Sequence, residues 1–198
     1  MRSGSSPSGV LTTTEEAFNL LENLLRWTRN QNGKTKIYAT LFNLTPVARQ
    51  VVSLFSAIAN AKEIELINRI EGKFDIFADE DMIKTVLRNL ISNAIKFTYT
   101  GGQVELSLAD SGDYWTIYVK DNGKGIPKDL QTHLLKSDEY ITTYGTHNEK
   151  GSGLGLILCR DFIRMNKGKL HFCSQEGIGT TFYFTIPKAS SSAKAASR

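Results

Sequence analysis

The sequence predicts an α+β fold: a two-layer α/β sandwich in which one mixed, mostly antiparallel sheet carries helices on a single face, plus an N-terminal helix. Three observations lead there. Several short segments alternate apolar and polar residues in the manner of strands. Longer segments between them carry apolar residues at helical spacing. Glycine-centred turns join two pairs of neighbouring strands into hairpins.

Taken in order, residues 1–14 (MRSGSSPSGVLTTT) are small and polar and read as a leader or disordered end, as does the tail 189–198 (ASSSAKAASR). Residues 15–33 begin EEAFNLLENLLRWTRNQ, helical by pattern: Phe18, Leu21 and Leu25 lie on one side, with Leu20, Leu24 and Trp27 beside it. So wide an apolar face needs a partner, either its own domain or the second half of an oligomerisation hairpin. The domain proper runs over 37–188. Residues 41–44 are a short strand, and Thr45-Pro46 supplies a cap and a first helical residue for a helix to about Lys62. Residues 64–70 and 74–78 read as strands joined by Glu71-Gly72-Lys73. Asp79 opens a helix that ends before Gly101-Gly102. Residues 103–108 and 115–120 form a hairpin around 110–113. Residues 128–150 lack periodicity and read as a mobile loop. A helix over 153–166 precedes a closing hairpin, 169–174 with 180–186.

At 198 residues the chain suffices for one domain with a real core, and 40% hydrophobic with 22% charged residues is the balance of a soluble globular protein. No apolar run approaches the roughly 20 residues that cross a bilayer, and no secretory signal opens the chain. Cys159 and Cys173 lack metal-type spacing and sit in apolar segments, so both read as reduced core residues of a cytoplasmic protein. The net charge of +4 is scattered among acids, without the basic stripe that nucleic acid requires.

The chemistry begins on the helix after Asp79. Steps of four and three residues put Asn89, Asn93 and Lys96 on one polar stripe of an otherwise apolar segment. Two amide oxygens and an ammonium on such a helix point to an external ligand, and a metal with a phosphate chain satisfies all three. Asp121-Asn-Gly-Lys-Gly-Ile-Pro127 follows a strand. A carboxylate at a strand end accepts from an exocyclic amine such as adenine's, and the glycines let backbone approach a flat ring. Gly151-Ser-Gly-Leu-Gly-Leu156 opens a helix whose free N–H groups favour phosphate. Gly33-Lys34-Thr35 is no phosphate loop, because Thr28 stands where its first glycine is required. The three histidines read as surface or partly packed residues, none in a Ser/His/Asp arrangement.

In this order the motifs resemble the ATP-binding catalytic domain of sensor histidine kinases, within the gyrase, chaperone, kinase and mismatch-repair ATPase superfamily with its Bergerat-type sandwich. RNLISNAIKFT (88–98) resembles the N box, DNGKGIP (121–127) the first glycine box and NEKGSGLGL (148–156) the second. Residues 15–31 resemble the second helix of the dimerisation and phosphoacceptor hairpin. The resemblance implies Asn93 as Mg²⁺ ligand, Asn89 in support, Lys96 on a phosphate and Phe97 against the adenine. It implies Asp121 on the adenine amine with Thr180 assisting through water, and Gly123, Gly125 and Ile126 around the base. Lys150, Gly151, Ser152, Gly153, Leu154, Gly155 and Leu156 would wrap the phosphates of ATP. The implied partners are the phosphoacceptor domain, a response-regulator receiver domain and a second copy through the N-terminal helix.

Three departures qualify this. The superfamily's hydrolases tend to place a glutamate base where Asn89 stands, and an amide takes no proton at neutral pH, which favours transfer over hydrolysis. The loop offers His133-Leu134-Leu135 where the family has a phenylalanine pair. No phosphoacceptor motif precedes the N-terminal helix. Alternative readings are a nucleotide-responsive interaction module, which needs no acceptor, and an ATP hydrolase, which turns over without one.

Overall fold

The computed structural model describes residues 36–132, 134, 145–147 and 154–189. The expected leader, N-terminal helix and tail from residue 190, together with Lys150, Gly151, Ser152 and Gly153, lie outside the described residues. From Ile37 onward the chain is one compact unit.

Its elements are β1 (Thr40–Asn43), α1 (Leu44–Ala61), β2 (Glu65–Asn68), β3 (Asp75–Ala78), α2 (Glu80–Phe97), β4 (Gln103–Ser111), β5 (Tyr114–Asp121), α3 (Lys128–Gln131), α4 (Leu154–Met165), β6 (Leu170–Gln175) and β7 (Gly179–Pro187). Five strands make the main sheet in the order β2-β4-β5-β7-β6. Only β2–β4 is parallel there; β4–β5, β5–β7 and β6–β7 are antiparallel. The expected mixed, mostly antiparallel sheet is therefore present.

It is not the whole of the β structure. β1 and β3 form a separate antiparallel ribbon, with Leu41 opposite Phe77. The two apparent neighbours β2 and β3 thus never pair: β2 joins β4, and β3 turns away to β1. The cap of α1 also differs from expectation. Asn43, not Thr45, is the N-cap, its Oδ1 accepting from Thr45 N at 3.1 Å. Asn43 Oδ1 accepts from Phe74 N as well, while Thr45 is buried and donates through Oγ1 to the Gly72 carbonyl. The amide reaches two donors at once, whereas the Thr45 hydroxyl, two positions on, is spent on the Gly72 carbonyl.

Asp79 caps α2 as the sequence suggests, with Oδ1 accepting from Met82 N and Oδ2 from Tyr38 N. Met82, Ile83, Val86, Leu87, Leu90, Ile91, Ala94 and Ile95 supply its buried face, each such side chain contributing about 1–3 kcal/mol of transfer free energy. Opposite them in the core lie Val104, Leu106, Ile117, Val119, Phe182, Phe184 and Ile186, the inward members of alternating strands. Tyr118, Tyr183 and His171 point to the other side of the sheet. Their rings form one row across β5, β7 and β6, stacked at 5.6 and 5.3 Å between centroids.

Cys159 is buried, as expected, but Cys173 is exposed. The correction follows from alternation: Leu170 and Phe172 face inward, so Cys173 falls on the solvent side of β6. Of the loop expected over 128–150, most lies outside the described residues; its described start holds the single turn α3, which the sequence did not announce.

Candidate functional site

α4 runs antiparallel to α2 and is fixed to it at three levels. At the far end, buried Asn166 accepts from Asp79 N at 2.7 Å and donates to the Phe162 carbonyl at 2.8 Å. In the middle, the Cys159 thiol contacts the Val86 carbonyl at 3.9 Å. At the near end, Gly155 comes so close that a Cβ there would lie 2.8 Å from Asn89 Oδ1. Asn89 is half-buried, and its Nδ2 donates to the Thr85 carbonyl at 2.9 Å. That bond aims the amide oxygen away from its own helix and toward the first turn of α4, where Leu154, Gly155 and Leu156 sit. Asn93 is half-buried one turn further along α2, and so is Lys96 after it. The polar stripe thus borders the core without being sealed in it.

The C-terminal end of α2 is tied down from two sides. The Lys96 carbonyl accepts from buried Lys62 Nζ at 3.0 Å and from Thr146 through both N and Oγ1 at 3.1 Å. Lys62 Nζ also meets the Ile95 carbonyl at 2.9 Å, placing a cation at the negative end of the helix dipole. The ammonium groups of Lys96 and Lys124 lie 5.4 and 5.0 Å from the centre of the Phe97 ring.

The third part is the end of β5. Asp121 is 6% exposed, and its Oδ1 accepts from Gly123 N at 2.9 Å and Thr180 N at 3.1 Å. Both bonds fall on one oxygen, which leaves Oδ2 for an incoming donor. Burial pushes the Asp121 carboxyl up to about 6, against the two N–H bonds that pull it down. Asp121 pairs with Thr180 in the β5–β7 register, and both are buried.

The glycines here answer first to the protein itself. A Cβ on Gly123 would collide with the Phe97 carbonyl, and Gly125, at φ +68°, would collide with the Gln175 carbonyl. The expectation that they merely admit a flat ring is too narrow, because these contacts draw the loop against α2 on one side and the β6–β7 turn on the other. Lys124 N donates to the Phe97 carbonyl at 3.0 Å, and Gly177 N to the Lys124 carbonyl at 2.7 Å.

Two residues that sequence reasoning missed hold this loop at Ile126. Ser174 Oγ accepts from Ile126 N at 2.9 Å, and Gln131 Nε2 holds the Ile126 carbonyl and reaches the Ser174 carbonyl at 3.3 Å. Ile126 is thereby held through both halves of its peptide.

Residues 78–190 match the family described as histidine kinase-, DNA gyrase B-, and HSP90-like ATPase, and the chain belongs to that family. Within it, the sandwich is that of the ATP-binding catalytic domain of histidine kinases. The adaptive-response sensory kinase SasA of Crocosphaera subtropica is 30% identical over 170 residues, which are 85% of this chain and 44% of that protein. The catalytic domain of histidine kinase ThkA superposes with a TM-score of 0.66 at 31% identity, over 76% of this chain and 98% of that one. ThkA in complex with response regulator protein TrrA gives 0.67 at 25% identity, over 94% of this chain and 53% of that one. This chain spans less than half the length of the first curated relatives it matches.

Proposed function

We propose that this chain holds Mg²⁺-ATP for transfer of the γ-phosphoryl group to a histidine carried on a dimerisation hairpin, the phosphate passing on to a response-regulator aspartate. The observation that carries the reading is the meeting of Asn89 Oδ1 with the first turn of α4, with the Asp121 carboxylate at the end of β5. The donor set suits the ligand. Neutral amide oxygens on a stripe open to solvent fit a hard, hydrated cation, and an orphan carboxylate oxygen fits an amine.

Asn93 would hold the metal, supported by Asn89, and Lys96 would meet a phosphate. Bound there, Mg²⁺ would neutralise charge on the phosphate chain. Asp121 Oδ2 accepts the adenine amine, with Thr180 beside it, while Gly123, Gly125 and Ile126 frame the base. Leu154, Gly155 and Leu156 open α4 toward the phosphates, with Lys150, Gly151, Ser152 and Gly153 just before it in sequence. The protein's share of the chemistry is positioning and charge neutralisation rather than proton transfer. Asn89, an amide, activates no water, which supports transfer to an acceptor over hydrolysis. ThkA was captured with its response regulator, and a receiver domain of that kind is the partner proposed here. No helix of the described residues is long and apolar enough to cross a membrane, and a cytoplasmic setting, where ATP is abundant, suits the reading.

The test is a calorimetric titration of Mg²⁺-ATP into the wild type and Asn93→Ala, followed by addition of a separate hairpin bearing the acceptor histidine. We expect Asn93→Ala to weaken Mg²⁺-ATP at least tenfold, about 1.4 kcal/mol, while leaving metal-free ATP nearly unchanged. We expect acid-labile label on the hairpin only with the wild type. Equal affinities would remove Asn93 from the metal site.

A further inference from the structure

We infer that Ser174 is a specificity-determining residue of the nucleotide site: it fixes the Thr180 hydroxyl as an acceptor, so that the edge formed by Asp121 and Thr180 takes an adenine amine and refuses a guanine carbonyl. This rests on the ATP-binding reading above and adds to it the source of base selectivity.

The argument is a count of hydrogens. Ser174 Oγ has three polar neighbours: Ile126 N at 2.9 Å, the Gly179 carbonyl at 3.1 Å and Thr180 Oγ1 at 2.9 Å. A serine hydroxyl has one hydrogen to give and two lone pairs to receive. The backbone N–H of Ile126 can only donate, so it takes one lone pair. The Gly179 carbonyl can only accept, so it takes the single hydrogen. What is left for Thr180 is the second lone pair, and Thr180 Oγ1 must therefore donate to Ser174. The reverse arrangement, with Ser174 donating to Thr180, sets the Ser174 and Gly179 oxygens at 3.1 Å with no hydrogen between them, lone pair against lone pair.

With its hydrogen committed to Ser174, the Thr180 hydroxyl turns only lone pairs toward the pocket. Its neighbour across the β5–β7 pair is Asp121, whose Oδ1 is filled by two N–H groups and whose Oδ2 is a further acceptor. Both polar groups on this edge are thus acceptors. Adenine offers an amine at its six position and guanine an oxygen, so one base finds partners and the other meets like charge. A site that is built to receive a hydrogen discriminates far more sharply than an apolar slot of the same size.

The test measures the affinities of the full chain for Mg²⁺-ATP and Mg²⁺-GTP by calorimetry. Wild type should prefer ATP. In Ser174→Ala the Thr180 hydrogen is released to donate to guanine, and the ATP-to-GTP affinity ratio should fall about tenfold or more. Ser174→Thr keeps the hydroxyl and should restore the ratio. Gln131→Ala loosens the same loop at the Ile126 carbonyl without touching the Thr180 hydroxyl, so it should weaken both nucleotides alike. The inference is overturned if Ser174→Ala behaves as Gln131→Ala does, with both affinities reduced and the ratio kept. If Ser174→Ala does not fold, Thr180→Val removes the oriented hydroxyl at constant shape, and an unchanged ratio there overturns the inference equally. A wild type that binds no ATP sinks the functional reading itself, whereas normal ATP binding with an unmoved ratio sinks only the role of Ser174.

Discussion

Asp121 sets affinity against stability within a single side chain. Its folded-state pKa is raised from 3.8 to about 6 by burial, so between those values the folded chain keeps a proton that the unfolded chain has released. Stability of the ligand-free protein therefore declines as pH rises across that window, the reverse of an ordinary salt-bridged aspartate. Nucleotide binding runs the other way, because an adenine amine needs the ionised carboxylate. Affinity for Mg²⁺-ATP should fall as pH drops below about 6 in the wild type. Asp121→Asn should remove the group's contribution to that decline and, at pH 7.5, stabilise the free protein by up to about 3 kcal/mol in urea titrations, at ~1.4 kcal/mol per pKa unit. The same variant should lose ATP affinity at least tenfold. Its one amide oxygen is taken by Gly123 N and Thr180 N, which turns an NH₂ toward the adenine amine. A variant that binds ATP as tightly as the wild type would contradict this assignment.

Among the elements, the α2–α4 pair decides whether two distant motifs become one site. Asn166 is the bond farthest from the ligand, and it is nearly sealed, at 3% exposure. Asn166→Ala strands the buried Asp79 N–H and takes from the Phe162 carbonyl one of its two donors, the backbone N–H of residue 166 remaining, so denaturant unfolding should show a loss of about 2 kcal/mol. Asn166→Asp should not rescue it, because a carboxylate oxygen would then face the Phe162 carbonyl where the amide N–H now donates; full recovery would show that the helices do not depend on this bond.

Much of this pairing is legible in the sequence. Asp79 as cap, the apolar face of α2 and the polar stripe beside it follow from spacing alone. The unread parts are those whose partners lie far off in the chain. Ser174 bonds a residue 48 positions away, and nothing in LHFCSQ marks its hydroxyl as special. Asn43 hides behind the more visible Thr45-Pro46, because its second donor, Phe74 N, belongs to another turn. Cys173 was readable after all: strict alternation from Leu170 puts it outside, and its apolar character misleads.

The groups assigned to the site come from several elements, α2, β5, α4 and β7, so on the proposed reading only the folded molecule binds nucleotide. Linkage then requires Mg²⁺-ATP to stabilise it, by about 2.7 kcal/mol at a hundred times the dissociation constant. The thermal unfolding temperature should rise accordingly with ATP in the wild type, and by about half as much or less in Asp121→Asn. Equal shifts in both would place the nucleotide elsewhere. At this scale sequence reasoning reached the sandwich and its helix-bearing face but merged two sheets into one. Hydropathy gives a strand its faces, whereas the choice of partner strand rests on long-range closure that local pattern does not encode.

The row of Tyr118, Tyr183 and His171 on the back of the sheet has a bearing on the pocket in front. Sliding β7 by a single position along β5 would break the alignment of Asp121 with Thr180 and send the hydroxyl of Thr180 out to solvent, with Thr181 turned inward in its place. Such a slip would also unstack three rings at once. On the reading proposed above, the choice of purine is therefore secured in part by aromatic side chains on the opposite face of the sheet.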